Sequence, residues 1–217
     1  MDITPSENRI WMKLDKYFFG FKKEIFICSC YIPPVSSPYY DEDFSKLESE
    51  VYKVSAKGNI LIMGDQSARI SNKVDFIEWE STSHVSFQNI LSDDYCHDIN
   101  LRRNYVDKVF NTQGQCLIDL WITSQLRVLN GRFVGDLCGN YTCHKSYGAS
   151  TVDYALTDVD LINVLTFFHV SNPTYLSDHS QISVHVNCKI NEHYSPNSNI
   201  NNFINYSYKW ESISRDN

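Results

Sequence analysis

The apolar positions of this chain change period repeatedly, and each change marks an element. "IWMKL" and "EIFICSCYI" read as strands. The second is an almost unbroken apolar run, the signature of a strand covered on both faces. "PPVSSPYY" interrupts the chain, and from Asp43 the apolar residues Phe44, Leu47, Val51 and Val54 recur at helical spacing, with Gly58 placed to end that helix. "NILIM" predicts a short buried strand running into "GDQSAR". Residues 71–104 are polar and aperiodic, which predicts a long loop with short helical turns. "GQCLIDLWITSQL" fits a helix with Leu117, Leu120 and Trp121 on one face. Strands are predicted at "RVLN", "YTCHK" and "TVDYALT", then a short helix over residues 158–163, and strands at "VLTFFHV" and "QISVHV". Ile182, Val184 and Val186 alternate with polar residues, so Asp178 and His179 fall in the turn entering the last strand. Trp121, Phe167 and Phe168 are assigned to the core. From Asn187 onward Asn, Ser and Tyr dominate, as in an extended linker.

Composition sets the frame. A chain of 217 residues with 42% hydrophobic residues can bury one core. Net charge is −7, which excludes a broad cationic groove neutralising many phosphates, so any nucleic-acid contact is local. The acidic clusters at residues 41–43 and 93–94 read as solvated loop or helix-start residues, and Arg102 and Arg103 as solvated surface. Seven cysteines without paired zinc-site spacing predict reduced thiols in an intracellular protein. No apolar run is long enough to cross a membrane, and "MDITPSENRI" lacks the basic start and apolar stretch of a secretory signal.

Chemistry concentrates at strand ends. Asp65 follows "NILIM", Asp153 lies within "TVDYALT", and Asp178 with His179 precedes "QISVHV". Strand ends are rigid supports, and acids from separate strands can converge on a divalent cation while a neighbouring histidine faces a phosphate or carbonyl. Alone, a Gly-Asp or Ser-Asp-His stretch is turn or capping sequence. Their order changes the reading.

The chain resembles the endonuclease/exonuclease/phosphatase superfamily, most closely the apurinic-type endonuclease domain of LINE-like, non-LTR retrotransposons. "CSCYIPP" is similar to that family's strand ending in Tyr-x-Pro, and "ILIMGDQSAR" to its "GDFNAR" segment. "LNGRFVGD" followed by "GNYTCHKSYGASTVDYAL" is similar to its NGR, aromatic-Thr and "SSxxDY" stretch, and "LSDHSQIS" to its "SDHxPI" signature. The resemblance runs from about Ile10 to Val186. It implies a DNase I-like α/β fold, a two-sheet β-sandwich flanked by helices in four α/β/β/α layers. It implies Mg²⁺ held by Asp178, a phosphate contact from His179, and Asp153 orienting that histidine. Asp65 would position or deprotonate the attacking water, and Tyr31 would hydrogen-bond near the phosphate. DNA is the implied partner, and the nucleus the implied compartment.

The chain departs from the family pattern in two places. It opens past the Asn motif and the metal-binding Glu that begin the family's domain, so the expected fold lacks the first strands. Such a loss leaves "EIFICSCYI" with an unpaired apolar edge and a chain prone to association. Ser67 and Gln66 stand where the family has Asn and Phe, and a hydroxyl cannot present donor and acceptor as a carboxamide does. The expectation is a truncated endonuclease domain over residues 1–187, decayed or impaired, followed at 188–217 by a polar linker toward an absent reverse transcriptase. Two alternatives are kept: a phosphoesterase acting on a small phosphate ester, and a non-catalytic relic that binds DNA or another partner.

Overall fold

The computed structural model describes residues 6–77 and 102–194. Its main sheet has the order β1-β2-β3-β7-β4, formed by β1 (Arg9–Leu14), β2 (Glu24–Tyr31), β3 (Gly58–Asp65), β4 (Leu126–Val128) and β7 (Asp153–Asp158). β2 and β3 run parallel and the other neighbours antiparallel. The crossover between β2 and β3 is α2 (Asp43–Ser55), as a parallel pair requires. The unbroken apolar run of β2 serves two faces. Phe26, Cys28 and Cys30 join the core with Leu47, Val51 and Val54 of α2 and with Leu117 and Trp121 of α3 (Thr112–Thr123). Trp121 meets the ring of Tyr154 edge-on at 5.6 Å between centroids, and both are fully buried. Each such side chain contributes about 1.5–3 kcal/mol of transfer free energy.

The opposite face of the sheet carries a second core. Ile25, Leu61, Leu129 and Ala155 pack against Leu165, Phe168 and Val170 of β8 (Leu165–Val170), with Ile182, Val184 and Val186 of β9 (Ile182–Val186) half-buried against them. β8 and β9 form an antiparallel ribbon, so sheet packs on sheet as the sandwich expectation required. The short α4 (Val159–Ile162) joins β7 to β8. A third ribbon, β5 (Cys143–Lys145) with β6 (Gly148–Ser150), is tied to the entrance of β9 by an antiparallel bridge between Cys143 and His179. No helix among the described residues is long and apolar enough to cross a membrane.

The expected apolar edge on β2 does not exist. β1 pairs with it from Arg9↔Cys30 to Leu14↔Ile25, so the sheet edge is β1 itself. Ile10 and Met12 lie on the same face as Ile25 and Ile27, and the β8–β9 ribbon leaves them 70% and 54% exposed. Gly58 does not end α2, because the cap is right-handed Ala56. It opens β3 instead, where a Cβ would stand 2.3 Å from the carbonyl oxygen of Glu24. α3 stops at Thr123, before the predicted Leu126, which begins β4. α1 (Lys16–Phe19) and β6 were not anticipated. α1 is started by Asp15, whose carboxylate accepts from the Tyr17 and Phe18 amides, and is ended by left-handed Gly20. The first tail residues dock back on this turn: Lys189 and Asn191 donate to the carbonyls of Phe19 and Phe18. The predicted loop over 71–104 is irregular at 71–77 and 102–104, and its centre lies outside the described residues.

A buried ion cluster fastens the edge strand. Arg9, 5% exposed, donates to Asp43 Oδ1 at 2.7 Å and to Glu50 Oε2 at 3.1 Å, and the Trp11 indole N–H donates to Glu50 Oε2 at 2.8 Å. Asp43 therefore does structural work at the start of α2 and is not the solvated residue expected from its acidic neighbours. Removing one partner from a buried pair leaves an uncompensated charge. Glu50→Ala should lower stability by about 3–5 kcal/mol in urea unfolding. An unchanged midpoint would mean that Asp43 alone satisfies Arg9.

Candidate active site

Three of the predicted residues are set in a row by strand register. Tyr31 on β2 lies opposite Asp65 on β3, and Asp65 lies opposite Asp153 on β7. The amide of Gln66 donates to the carbonyl of Val152 at 2.9 Å, so Asp65 and Asp153 form a non-hydrogen-bonded antiparallel pair, the kind whose side chains approach most closely. Two like charges so placed repel each other. Gly64 permits the approach of β2: its φ is 140°, and a Cβ there would lie 1.9 Å from the carbonyl oxygen of Cys30.

His179 comes from the turn entering β9 and relieves the repulsion. Its Nδ1 lies 2.9 Å from Asp153 Oδ2 and its Nε2 lies 4.0 Å from Asp65 Oδ2. An ionised carboxylate only accepts, so Nδ1 carries the proton and donates to Asp153. The ring is held there because Cys143 and His179 are directly opposed in their bridge, flanked by His144 N–H donating to Asp178 O and Ser180 N–H donating to Thr142 O. The His179 amide also donates to Ser177 Oγ at 3.0 Å. Asp178 is exposed on the rim. Its carboxylate groups with His179 and Cys143, the ligand atoms of the three lying within 4.8 Å of one another, while Asp65, Asp153 and His179 form a second such trio. Tyr31 is 48% exposed at the end of the row.

The carboxyl of Asp65 is held above the usual carboxylate range. Burial is the main cause and the charge of Asp153 adds to it, while the Ser67 N–H and the His179 ring oppose both. That N–H donates to Asp65 Oδ1 at 2.8 Å, and it does so because Ser67 is left-handed, with φ 47°. Asn tolerates this region better than Ser. Gln66, in the same turn, is fully buried with neither amide atom hydrogen-bonded among the described residues.

Sequence reasoning missed the residues that hold β7. Thr142 Oγ1 accepts from the amides of both Val152 and Asp153 at 3.0 Å. Asn130 continues the pairing of β4 with its side chain, donating to the carbonyl of Asp153 and accepting from the amide of Ala155, each at 3.1 Å. Arg132 makes a bidentate pair with Asp75, both fully buried, and Asp75 also accepts from Val128 N–H. The Asn-Gly-Arg and Tyr-Thr stretches thus position the acid, and their motif resemblance was the one signal that marked them. Arg69 donates to Asp107 through Nε at 2.8 Å and Nη2 at 2.5 Å, and Asp107 accepts from the Thr151 amide at 2.9 Å. Arg103, expected on the surface, is half-buried and donates to the carbonyls of Ser71 and Lys73.

A divalent cation is compatible with this donor set. Mg²⁺ takes oxygen ligands and keeps several waters, so one or two carboxylates with a substrate phosphate suffice. Asp65, Asp153 and Asp178 supply carboxylates at the site, and no glutamate belongs to either trio among the described residues. Two clefts, of about 440 and 400 Å³, lie elsewhere, beside Arg9 and Glu50 and beside Gly20 and Asn59.

No protein-family model and no curated protein matches the sequence. Among solved structures the chain is similar to the endonuclease domain of TRAS1, a telomere-specific non-LTR retrotransposon. The TM-score is 0.54 at 14% identity, over 82% of this chain and 61% of that one. It is also similar to a 3′-5′ exonuclease, NExo, from Neisseria meningitidis, with a TM-score of 0.49 at 13% identity over 75% of this chain and 61% of that one. The chain thus spans less than two thirds of the length of either protein. The likeness shows that the chain shares the fold of that endonuclease domain.

Two outcomes test the local physics. Because Asp65 binds its proton more tightly folded than unfolded, ionising it costs stability, and the cost appears as pH rises through its folded value. Asp65→Asn should therefore raise the urea midpoint at pH 7 and lose that advantage below the ordinary aspartate range. Equal midpoints at pH 7 would contradict the assignment. Gln66→Met replaces a buried amide by a flexible apolar chain of similar length and should stabilise by about 1–3 kcal/mol in the same assay. A destabilised variant would place a hydrogen-bond partner on that amide.

Proposed function

We propose that this chain is a retrotransposon-derived, Mg²⁺-dependent DNA endonuclease domain whose phosphodiesterase activity is impaired. The observation that carries the reading is His179 standing between two opposed carboxylates, 2.9 Å from Asp153 and 4.0 Å from Asp65. With its Nδ1 proton fixed on Asp153, the ring turns Nε2 toward Asp65 and whatever occupies the site between them. A protonated Nε2 stabilises the charge that accumulates on a phosphoryl oxygen during in-line attack. Asp65, with its proton affinity raised by burial, is suited to take a proton from the attacking water. Tyr31, exposed at the end of the same row, is placed to donate to a phosphate oxygen. When bound, Mg²⁺ would be held by Asp178 with a further carboxylate of the site, and would neutralise phosphate charge.

Impairment follows from the donor count. Neither trio contains a glutamate among the described residues, and Ser67 cannot supply the paired donor and acceptor of a carboxamide. Loss of one directed transition-state hydrogen bond costs about two to three orders of magnitude in rate. The net charge of −7 offers no general grip on DNA to compensate.

The chain should show no detectable nicking of supercoiled plasmid in Mg²⁺, and Ser67→Asn alone should not restore it. Any residual nicking at high protein concentration should be abolished by His179→Ala. Nicking that survives His179→Ala would remove the histidine from the chemistry. Robust His179-dependent nicking by the unaltered chain would overturn the impairment and leave the endonuclease reading standing.

A further inference from the structure

We propose that Cys143, Asp178 and His179 form a binding site for a borderline transition-metal cation, Zn²⁺ above all. The site is separate in chemistry from the oxygen-ligand Mg²⁺ site proposed above. The ligand atoms of the three side chains lie within 4.8 Å of one another. A thiol, an imidazole and a carboxylate are the three donor types that Zn²⁺ accepts, whereas a hard Mg²⁺ ion gains nothing from sulfur. With three protein donors the fourth tetrahedral position stays open to water or an anion.

Three features of the fold favour the site. Cys143 and His179 are opposed in a non-hydrogen-bonded bridge, so their side chains are fixed side by side by backbone pairing. Asp153 already accepts the Nδ1 proton of His179 at 2.9 Å, the carboxylate–histidine arrangement that fixes the ring and raises the basicity of its other nitrogen. Asp178 is exposed while its backbone carbonyl is held by the His144 amide, so its side chain can rotate onto a cation from a fixed backbone. Zn–S and Zn–N bonds of about 2.3 and 2.0–2.1 Å set donor separations of roughly 3.3–3.8 Å, so the cluster contracts by at most about 1.5 Å on binding. Cys143 itself is 3% exposed, yet its neighbours in the trio are a carboxylate and an imidazole, which a purely apolar packing role does not supply. Binding stands without the nuclease reading. Two consequences rest on that reading: a bound Zn²⁺ engages the His179 ring that would meet phosphate and the Asp178 carboxylate that would hold Mg²⁺.

The test uses the full chain, reduced, with Cys96, Cys116, Cys138 and Cys188 changed to Ser to remove competing thiols. Co²⁺ serves as the probe, read by thiolate-to-metal charge-transfer absorption and the intense visible bands of a tetrahedral site, and Zn²⁺ affinity is measured by displacement. One equivalent should bind with a charge-transfer band. Cys143→Ser should abolish that band, and Asp178→Asn and His179→Ala should weaken Zn²⁺ at least tenfold. Asp153→Asn, which removes the carboxylate bonded to Nδ1 of the ring, should weaken it about 10–100-fold. Asp178→Asn changes an exposed residue, so it keeps the proposal testable if Cys143→Ser fails to fold. A charge-transfer band that persists in Cys143→Ser, Zn²⁺ affinity indifferent to Asp178→Asn, or no binding of either metal would overturn the site. Absence of nicking leaves the absorption readout untouched, so the two readings fail separately.

Discussion

Everything at the candidate site depends on one pairing: Asp65 opposite Asp153 across β3 and β7. Backbone register forces the two carboxylates together, and a sheet does not yield to their repulsion without losing its hydrogen bonds. The fold answers with an imidazole delivered from the turn entering β9, so the packing of the second sheet on the first is what makes the acid pair tolerable. Thr142 and Asn130 bond to the backbone of Asp153 and its neighbours rather than to its side chain, which fixes the strand while leaving the carboxylate to His179. The surrounding polar residues are thus committed to holding strands, and the reactive groups are few.

Much of this was legible in the sequence because it depends on local period. β2, β3, β7, β8 and β9 each show the apolar pattern their burial demands, and α2 and α3 present the predicted faces to the core. The acids and the histidine stood out because each sits at a strand boundary. What could not be read was pairing at long range. Nothing in "YTCHK" says that Cys143 will oppose His179, and nothing in "RIWMKL" says that Arg9 will find Asp43 and Glu50 on a helix. Gly58 shows the limit from the other side. A glycine after a helix suggests a cap by propensity, but here close approach to Glu24 requires it.

The edge of the sheet was also misjudged for a physical reason. Treating β2 as an open edge left β1 out of account, and β1 is held by a buried ion cluster whose members look, one by one, like ordinary surface charges. Buried polar networks are decided by tertiary structure, and hydropathy along the chain cannot see them.

The same register has a kinetic side. β3 reaches β7 only by closing a loop of about ninety residues, whereas the ribbon of β8 and β9 closes one of about a dozen. By loop-closure entropy the longer one costs roughly 2 kcal/mol more. The ribbon can therefore form early, and the apposition of the two acids waits on the long closure. Length added to the segment between β3 and β7 would slow assembly of this end of the molecule far more than it would weaken the finished fold.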